Sequence, residues 1–179
     1  PFREAEINEE GASVDTAYRF FTNLNSKILG SFKPYAHQEK AFQRLTGPLP
    51  ASTIIATGTG SGKTECFLYP ILDYCLTEQK KGVKAVIIYP MNALASDQAS
   101  RLAALLQRIN SQITKIPGCS RRLRAGIYTG DGTSDRRVMT KDELITSRDE
   151  MRKNPPDILL TNYKMLDYLV MRPADNGLW

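Results

Sequence analysis

Ser52-Thr-Ile-Ile-Ala-Thr-Gly-Thr-Gly-Ser-Gly-Lys-Thr64 decides how this chain is read. A β-type apolar run at 53–56 enters a turn containing Gly58, Gly60 and Gly62, and the turn closes on Lys63 and Thr64. A helix over 65–76 is predicted to follow at once. Strand, glycine turn and helix in that order are what a phosphate-binding loop requires. Glycine accepts positive φ and carries no Cβ, so the backbone can close around phosphate oxygens. The unpaired N–H groups and the dipole of the following helix add to the attraction. Thr59, Gly60, Ser61 and Gly62 are therefore expected to cradle phosphates. Lys63 is expected to reach the β- and γ-phosphates, and Thr64 to place its hydroxyl on Mg²⁺. The one departure from the usual pattern is Thr57, which stands where glycine or alanine is common.

The rest of the composition is that of an ordinary globular chain. Its 179 residues are enough for one domain with a sizeable core, and 41% are apolar against 24% charged. There is no apolar run of about eighteen residues, so no membrane partner is expected. No signal-peptide pattern opens the chain, and a cytoplasmic setting is expected. No initiator methionine stands at the start, so a piece of a longer protein is expected. The three cysteines, Cys66, Cys75 and Cys119, lack metal-type spacing and read as reduced thiols. A single histidine, His37, argues against a histidine-based metal site or triad. The net charge of +5 permits nucleic-acid binding without establishing it. Much of the excess is local, in Arg121, Arg122, Arg124, Arg136 and Arg137, which read equally as a solvated face or as a strand-binding surface.

Residues 1–33 form a lead-in where Val14, Ala17, Tyr18, Phe21 and Leu24 predict a helix over 13–26. A short helix is predicted over 35–45, and Gly47, Pro48 and Pro50 break the chain before the first strand. Pro70 is expected to bend or weaken the helix after the loop. The continuous apolar run at 85–89 suits a parallel strand buried on both faces. Leu94, Leu102, Leu105, Leu106 and Ile109 predict an amphipathic helix over 93–110. A third strand is predicted at 123–128, after a break at Pro117 and Gly118. Thr140 and Glu143 form a capping-box signature for a helix over 141–153. A fourth strand at 157–161 and a short helix over 163–170 complete the pattern. This is an α/β domain with a mostly parallel sheet flanked by helices. Its strands' carboxyl ends should share one edge, and ligands bind at such edges.

Four segments stand in a fixed order: Tyr35-Ala-His-Gln38, the loop at 57–64, Tyr89-Pro-Met-Asn-Ala-Leu-Ala-Ser-Asp-Gln98 and Ile158-Leu-Leu-Thr-Asn-Tyr163. The set resembles the first RecA-like domain of superfamily 2 DEAD/DEAH-box helicases, a P-loop NTPase fold, over about residues 30–172. The wording of 89–98 and 156–168 is similar to large bacterial helicases, including those of phage-defence systems. The resemblance implies ATP and Mg²⁺ as cofactors, with Lys63 and Thr64 as catalytic residues. It implies that Gln38 reads adenine, whose N6 and N7 an amide can pair, and that Tyr35 or Phe32 stacks on the base. Pro90, Asn92 and Ala93, then Gly130, then Thr161 and Asn162, would hold a nucleic-acid strand by its phosphates. Asn92 equally suits a helix cap, and Asn162 replaces the proline usual at its place. DNA is the expected strand in preference to RNA.

The same resemblance divides the chain into a lead-in, 1–33, and a partial first RecA-like domain, 34–179, incomplete at its C-terminal side. The acidic Walker-B segment and a second RecA-like domain are expected beyond Trp179, since Asp157 precedes a strand and that acid should follow one. Phosphoryl transfer needs that acid, and an arginine supplied by the second domain. Residues 1–179 alone are therefore expected to bind nucleotide weakly and hydrolyse it negligibly, the whole protein being the ATP-dependent helicase. A small-molecule kinase has no use for the 89–98 and 161–163 patterns, and a GTPase would carry an Asn-Lys-x-Asp reader, which is absent. A non-catalytic nucleic-acid scaffold with a vestigial loop sits poorly with an intact Gly62-Lys63-Thr64.

Overall fold

The structure, a computed structural model, describes residues 34–78, 80–115, 119–130 and 144–179. The helix expected over 13–26 lies outside them. So do Phe32, Pro117, Gly118, Arg136, Arg137, Thr140 and Glu143. The chain divides into two compact units, one ending at Glu78 and one beginning at Gln79.

Among the described residues, the first unit holds two helices, α1 (Ala36–Thr46) and α2 (Lys63–Thr77). They pack on each other, with the Phe42 ring fully buried and tilted 34° to Tyr69 at 6.4 Å. The strand expected at 53–56 is not formed, and Ile54 is 96% exposed. β-type residues favour pairing, but a ladder needs a partner strand. Local bonds tie the residues just before it to α1: Ala51 N–H donates to Arg44 O at 3.1 Å, and the Arg44 guanidinium reaches Ser52 O. α2 runs through Pro70 without a break. Proline removes its own N–H from the ladder and crowds the carbonyl four residues back, a cost offset by the burial of Cys66, Leu68, Leu72, Cys75 and Leu76 along the same helix.

Burial also sets the thiol chemistry. Desolvation pushes the Cys66 thiol up from its ordinary range, and the charge of Glu65 adds to the rise. A raised thiol has less thiolate at any given pH, and the thiolate is the nucleophile. Cys119 is only half-buried. At pH 8 Cys119 should therefore alkylate at least about tenfold faster than Cys66 or Cys75, as peptide mapping after timed iodoacetamide treatment will show; equal rates at the three sites contradict the packing of α2.

Among the described residues, the second unit is built on four parallel strands, β1 (Ala85–Ile88), β2 (Ala125–Tyr128), β3 (Leu144–Ile145) and β4 (Ile158–Thr161), in the order β1-β4-β2-β3. The last strand in sequence lies between the first two. β4 is buried at every residue, as a continuous apolar run in a parallel sheet should be. Each Ile or Leu so buried contributes about 1.5–3 kcal/mol over an exposed one, so this strand anchors the unit. Three helices cover it: α3 (Asn92–Asn110), α4 (Arg148–Lys153) and α5 (Tyr163–Met171). A core cluster forms where Tyr128, Ile145, Met151, Leu159, Leu169 and Leu178 meet. Asn110, buried at the end of α3, brackets the approach to β2 by donating to Leu123 O and accepting from Leu123 N, both at 2.9 Å.

The helix expected over 141–153 is shorter and starts later. Leu144 and Ile145 pair with Ala125 and Gly126 as β3, and α4 begins only after Ser147, whose hydroxyl accepts from Glu150 N at 3.3 Å. Ladder bonds to β2 take Leu144 and Ile145, which the capping-box reading places inside the helix.

At the amino ends of the strands sits a buried carboxylate, Asp157. Its Oδ1 accepts from Lys84 Nζ at 2.8 Å and from the Arg121 guanidinium; its Oδ2 accepts from Arg121 Nη1 at 3.2 Å and from Arg124 N at 2.9 Å. Arg124 also pairs with Glu150 at 3.0 Å. Arg124 and the neighbouring Asn154 hold the Glu150 carboxyl below its usual range. In the basic cluster 121–124, Arg121 and Arg124 turn onto carboxylates, and Arg122 is exposed.

Candidate functional site

In the first unit the loop 57–64 leads into the N-terminus of α2. Gly60 and Gly62 both sit at φ 75°, left-handed backbone that favours glycine. Gly62 is the N-cap of α2, and a Cβ there would collide with Gln38 Nε2. Gly58, Thr59 and Gly60 are exposed, whereas Ser61 is 1% exposed. The Thr57 and Ser61 hydroxyls lie 2.5 Å apart and close the loop across its base. Thr57, the one departure from the usual pattern, therefore has a partner inside the loop. The Lys63 ammonium donates to Thr57 O at 2.8 Å and Gly58 O at 2.7 Å, so it lies over the mouth of the loop. Thr64 stands half-buried in the first turn of α2. A tight turn with no room for a Cβ at Gly62, a cation at its mouth and a helix N-terminus behind it fits a polyphosphate.

The start of α1 lies against this loop. Gln38 is 3% exposed and both ends of its amide are engaged: Oε1 accepts from Tyr35 N and Nε2 donates to Gly62 O, each at 2.9 Å. His37 Nε2 meets Ser61 O at 2.9 Å. The Tyr35 ring stacks on the His37 ring, centroids 5.8 Å apart and planes 16° from parallel. Gln38 thus lies beneath the loop, and one face of Tyr35 is taken by His37. Sequence reasoning gave His37 no role. The signal available was its adjacency to Gln38, which places both side chains on the first turn of one helix.

In the second unit the carboxyl ends of three strands lie in one row. Ile88 of β1 pairs with Thr161 of β4, and Thr161 pairs with Tyr128 of β2. Pro90, Asn92 and Ala93, then Thr129 and Gly130, then Asn162 and Tyr163, leave the sheet side by side from that row. Pro90, Ala93 and Gly130 are exposed and Asn92 half-buried. Thr161 is 0% exposed, and its hydroxyl is given to Tyr128 O at 2.7 Å, so it locks two strands together below the surface. Met91, not Asn92, is the N-cap of α3. Asn92 instead accepts from Asn162 Nδ2 at 2.7 Å. Asn162 is the N-cap of α5, its Oδ1 accepting from Met165 N at 2.8 Å. That bond fixes which way the amide points and leaves its Nδ2 for Asn92. Burial raises the Tyr89 phenol, against a smaller pull from Arg101, so it stays neutral. Arg148 was missed from sequence: its guanidinium lies 4.8 Å over the Tyr128 ring and donates to Thr129 O, adding a cation at the same edge.

Asn162→Ala removes a helix cap and the link to Asn92 together, and should cost about 1–2 kcal/mol. Asn162→Ser keeps a capping oxygen but is too short for the link, and should recover about half of that. Urea denaturation of the full-length variants measures both; an alanine variant as stable as the parent contradicts the double role.

The model of the DEAD/DEAH box helicase family matches residues 35–176, and the chain belongs to that family. It is similar to the Druantia protein DruE of Escherichia coli, 26% identical over 266 aligned residues that take in 100% of this chain and 14% of that protein. It is also similar to an uncharacterized ATP-dependent helicase of Methanocaldococcus jannaschii, 32% identical over 149 residues, 83% of this chain and 19% of that protein. Among solved structures it resembles the DUF1998 helicase MrfA bound to DNA and AMPPNP, with a TM-score of 0.63 and 24% identity over 99% of this chain and 20% of that one. That likeness bears on the fold, which is RecA-like. The chain spans less than a quarter of each of these relatives. Family membership favours the ATP-dependent helicase reading over the kinase and scaffold alternatives.

Proposed function

We propose that the protein to which this chain belongs is an ATP-driven motor that translocates on or unwinds nucleic acid. The observation that carries the reading is the row Ile88–Thr161–Tyr128, from which three segments emerge together at the carboxyl edge of a parallel sheet. Pro90, Asn92, Ala93, Gly130 and Asn162 would meet a strand's phosphates there, with Thr161 registering the strands beneath them. Contacts of that kind are electrostatic, salt-dependent and nearly indifferent to sequence. ATP, held with Mg²⁺ on the Thr64 hydroxyl, supplies the free energy. Thr59, Gly60, Ser61 and Gly62 present backbone to its phosphates and Lys63 neutralises their charge. Tyr35 and Gln38 would face the adenine, Gln38 exchanging one of its two backbone partners for the base. A second RecA-like domain of the same protein completes the catalytic set. DNA is favoured as the strand because MrfA, similar in fold, has been captured on it. A cytoplasmic setting fits the three free thiols. No helix among the described residues is long and apolar enough to cross a membrane.

The test is the ATPase rate of the full-length protein alone, with single-stranded DNA and with single-stranded RNA. Stimulation by a strand, greater for DNA, is expected. A rate indifferent to both polymers removes the motor reading.

A further inference from the structure

The geometry points to His37 as a positioning residue for the phosphate loop: its imidazole N–H holds the Ser61 carbonyl so that the loop's next amide faces the nucleotide. Ser61 O can only accept a hydrogen bond, so the His37 Nε2 that meets it at 2.9 Å carries the hydrogen. The adjacent side chain repeats the contact one residue on, where Gln38 Nε2 donates to Gly62 O at 2.9 Å. Two consecutive carbonyls of the loop are thus held by two consecutive side chains at the start of α1. All peptide bonds among the described residues are trans. In a trans peptide the C=O of one residue and the N–H of the next point in opposite directions. Holding the Ser61 carbonyl against His37 therefore turns the Gly62 N–H away from α1, and holding the Gly62 carbonyl against Gln38 does the same for the Lys63 N–H. Those two amides open α2, where N–H groups have no partner within the helix and serve an anion.

The surroundings keep the imidazole in place. Tyr35 stacks on it, and Ser61 is buried, so a Ser61 carbonyl deprived of His37 has little water to turn to. A loop carrying bulkier residues at 60 and 62 would be stiff without such help. This one has left-handed glycines at both places, and glycine is free to leave that conformation. The preorganisation of the Gly62 and Lys63 amides rests on what grips the Ser61 and Gly62 carbonyls, and His37 holds the first of these.

This inference rests on the loop's being an ATP site, and the test separates the two. The full-length protein is titrated with a fluorescent ADP, and its affinity for single-stranded DNA without nucleotide and its thermal midpoint are measured alongside. His37→Phe keeps a ring to stack on Tyr35 but has no N–H to give, and should bind the ADP about tenfold more weakly, with strand affinity and midpoint little changed. His37→Gln restores a donor at nearly the same reach and should bind within about threefold of the parent. If His37→Phe binds as the parent does, or if His37→Gln is as weak as His37→Phe, the positioning role is overturned while the ATP site stands. If the parent itself binds no ADP, the ATP reading falls and His37 goes with it.

Discussion

Lys63→Ala lowers the strand-stimulated ATPase of the full-length protein by at least about a hundredfold, the loss typical of removing one preorganised charge-stabilising donor. The ammonium lies over the mouth of the loop, on Thr57 O and Gly58 O, within a side chain's swing of any phosphate the loop cradles. Its removal takes away the one cation the loop itself carries, and phosphoryl transfer is governed by how well developing charge is neutralised. Far-ultraviolet circular dichroism should be unchanged, because Lys63 is only half-buried at the first turn of α2. A variant that retains more than a tenth of the parent rate contradicts the assignment of Lys63.

The largest expected effect on stability lies in the second unit, at the amino ends of its strands. Asp157→Ala leaves the Lys84 ammonium, 6% exposed, facing Arg121 with no carboxylate between them. Removing one member of a buried ion pair costs about 3–5 kcal/mol, more than the pair contributes over an apolar replacement. The loss also reaches the strands directly, because Asp157 backbone groups bond Lys84, Ala85 and Arg124 while its side chain bonds Arg124 N. Guanidinium denaturation of the full-length protein is the measurement. Asp157→Leu combined with Lys84→Met should be less damaging than the sum of the single changes, since no charge is then left stranded at position 84. A cost below about 1 kcal/mol for Asp157→Ala would show that water, not Asp157, satisfies these cations.

What could be read from the chain, and what could not, divides along locality. The runs at 85–88 and 158–161 are continuous and apolar, and both are parallel strands. The spacing of Leu102, Leu106 and Ile109 gave α3 almost to its ends. The run at 53–56 carries the same β-type residues but makes no ladder, because pairing depends on a partner that composition does not supply. The helix expected from Thr140 and Glu143 shows a competition between identical signals: Ser147 and Glu150 repeat the same four-residue pattern, and it is Ser147 that caps. Asp157 was legible as an acid on the wrong side of a strand for metal work. Its actual role was hidden, since its partners Lys84 and Arg121 lie 73 and 36 residues away. The loop residues 58–64 were legible because a phosphate loop is a contiguous device. The grip of His37 and Gln38 on it was not, since it spans 24 residues. Asn92 and Asn162 were each noticed singly, yet the bond that joins them crosses 70 residues.

The central position of β4 has a consequence for scale. Ile88, Thr161 and Tyr128 are rungs of one hydrogen-bonded ladder, so the row they make spans two inter-strand gaps, about 10 Å. Stacked nucleotides of a duplex strand rise about 3.4 Å each along the helix axis, the direction in which the row would count them. Under the proposed reading this sheet edge is a ruler with a footprint of about three nucleotides. Its graduations cannot slide past one another without breaking the rungs, so the three marks travel as one.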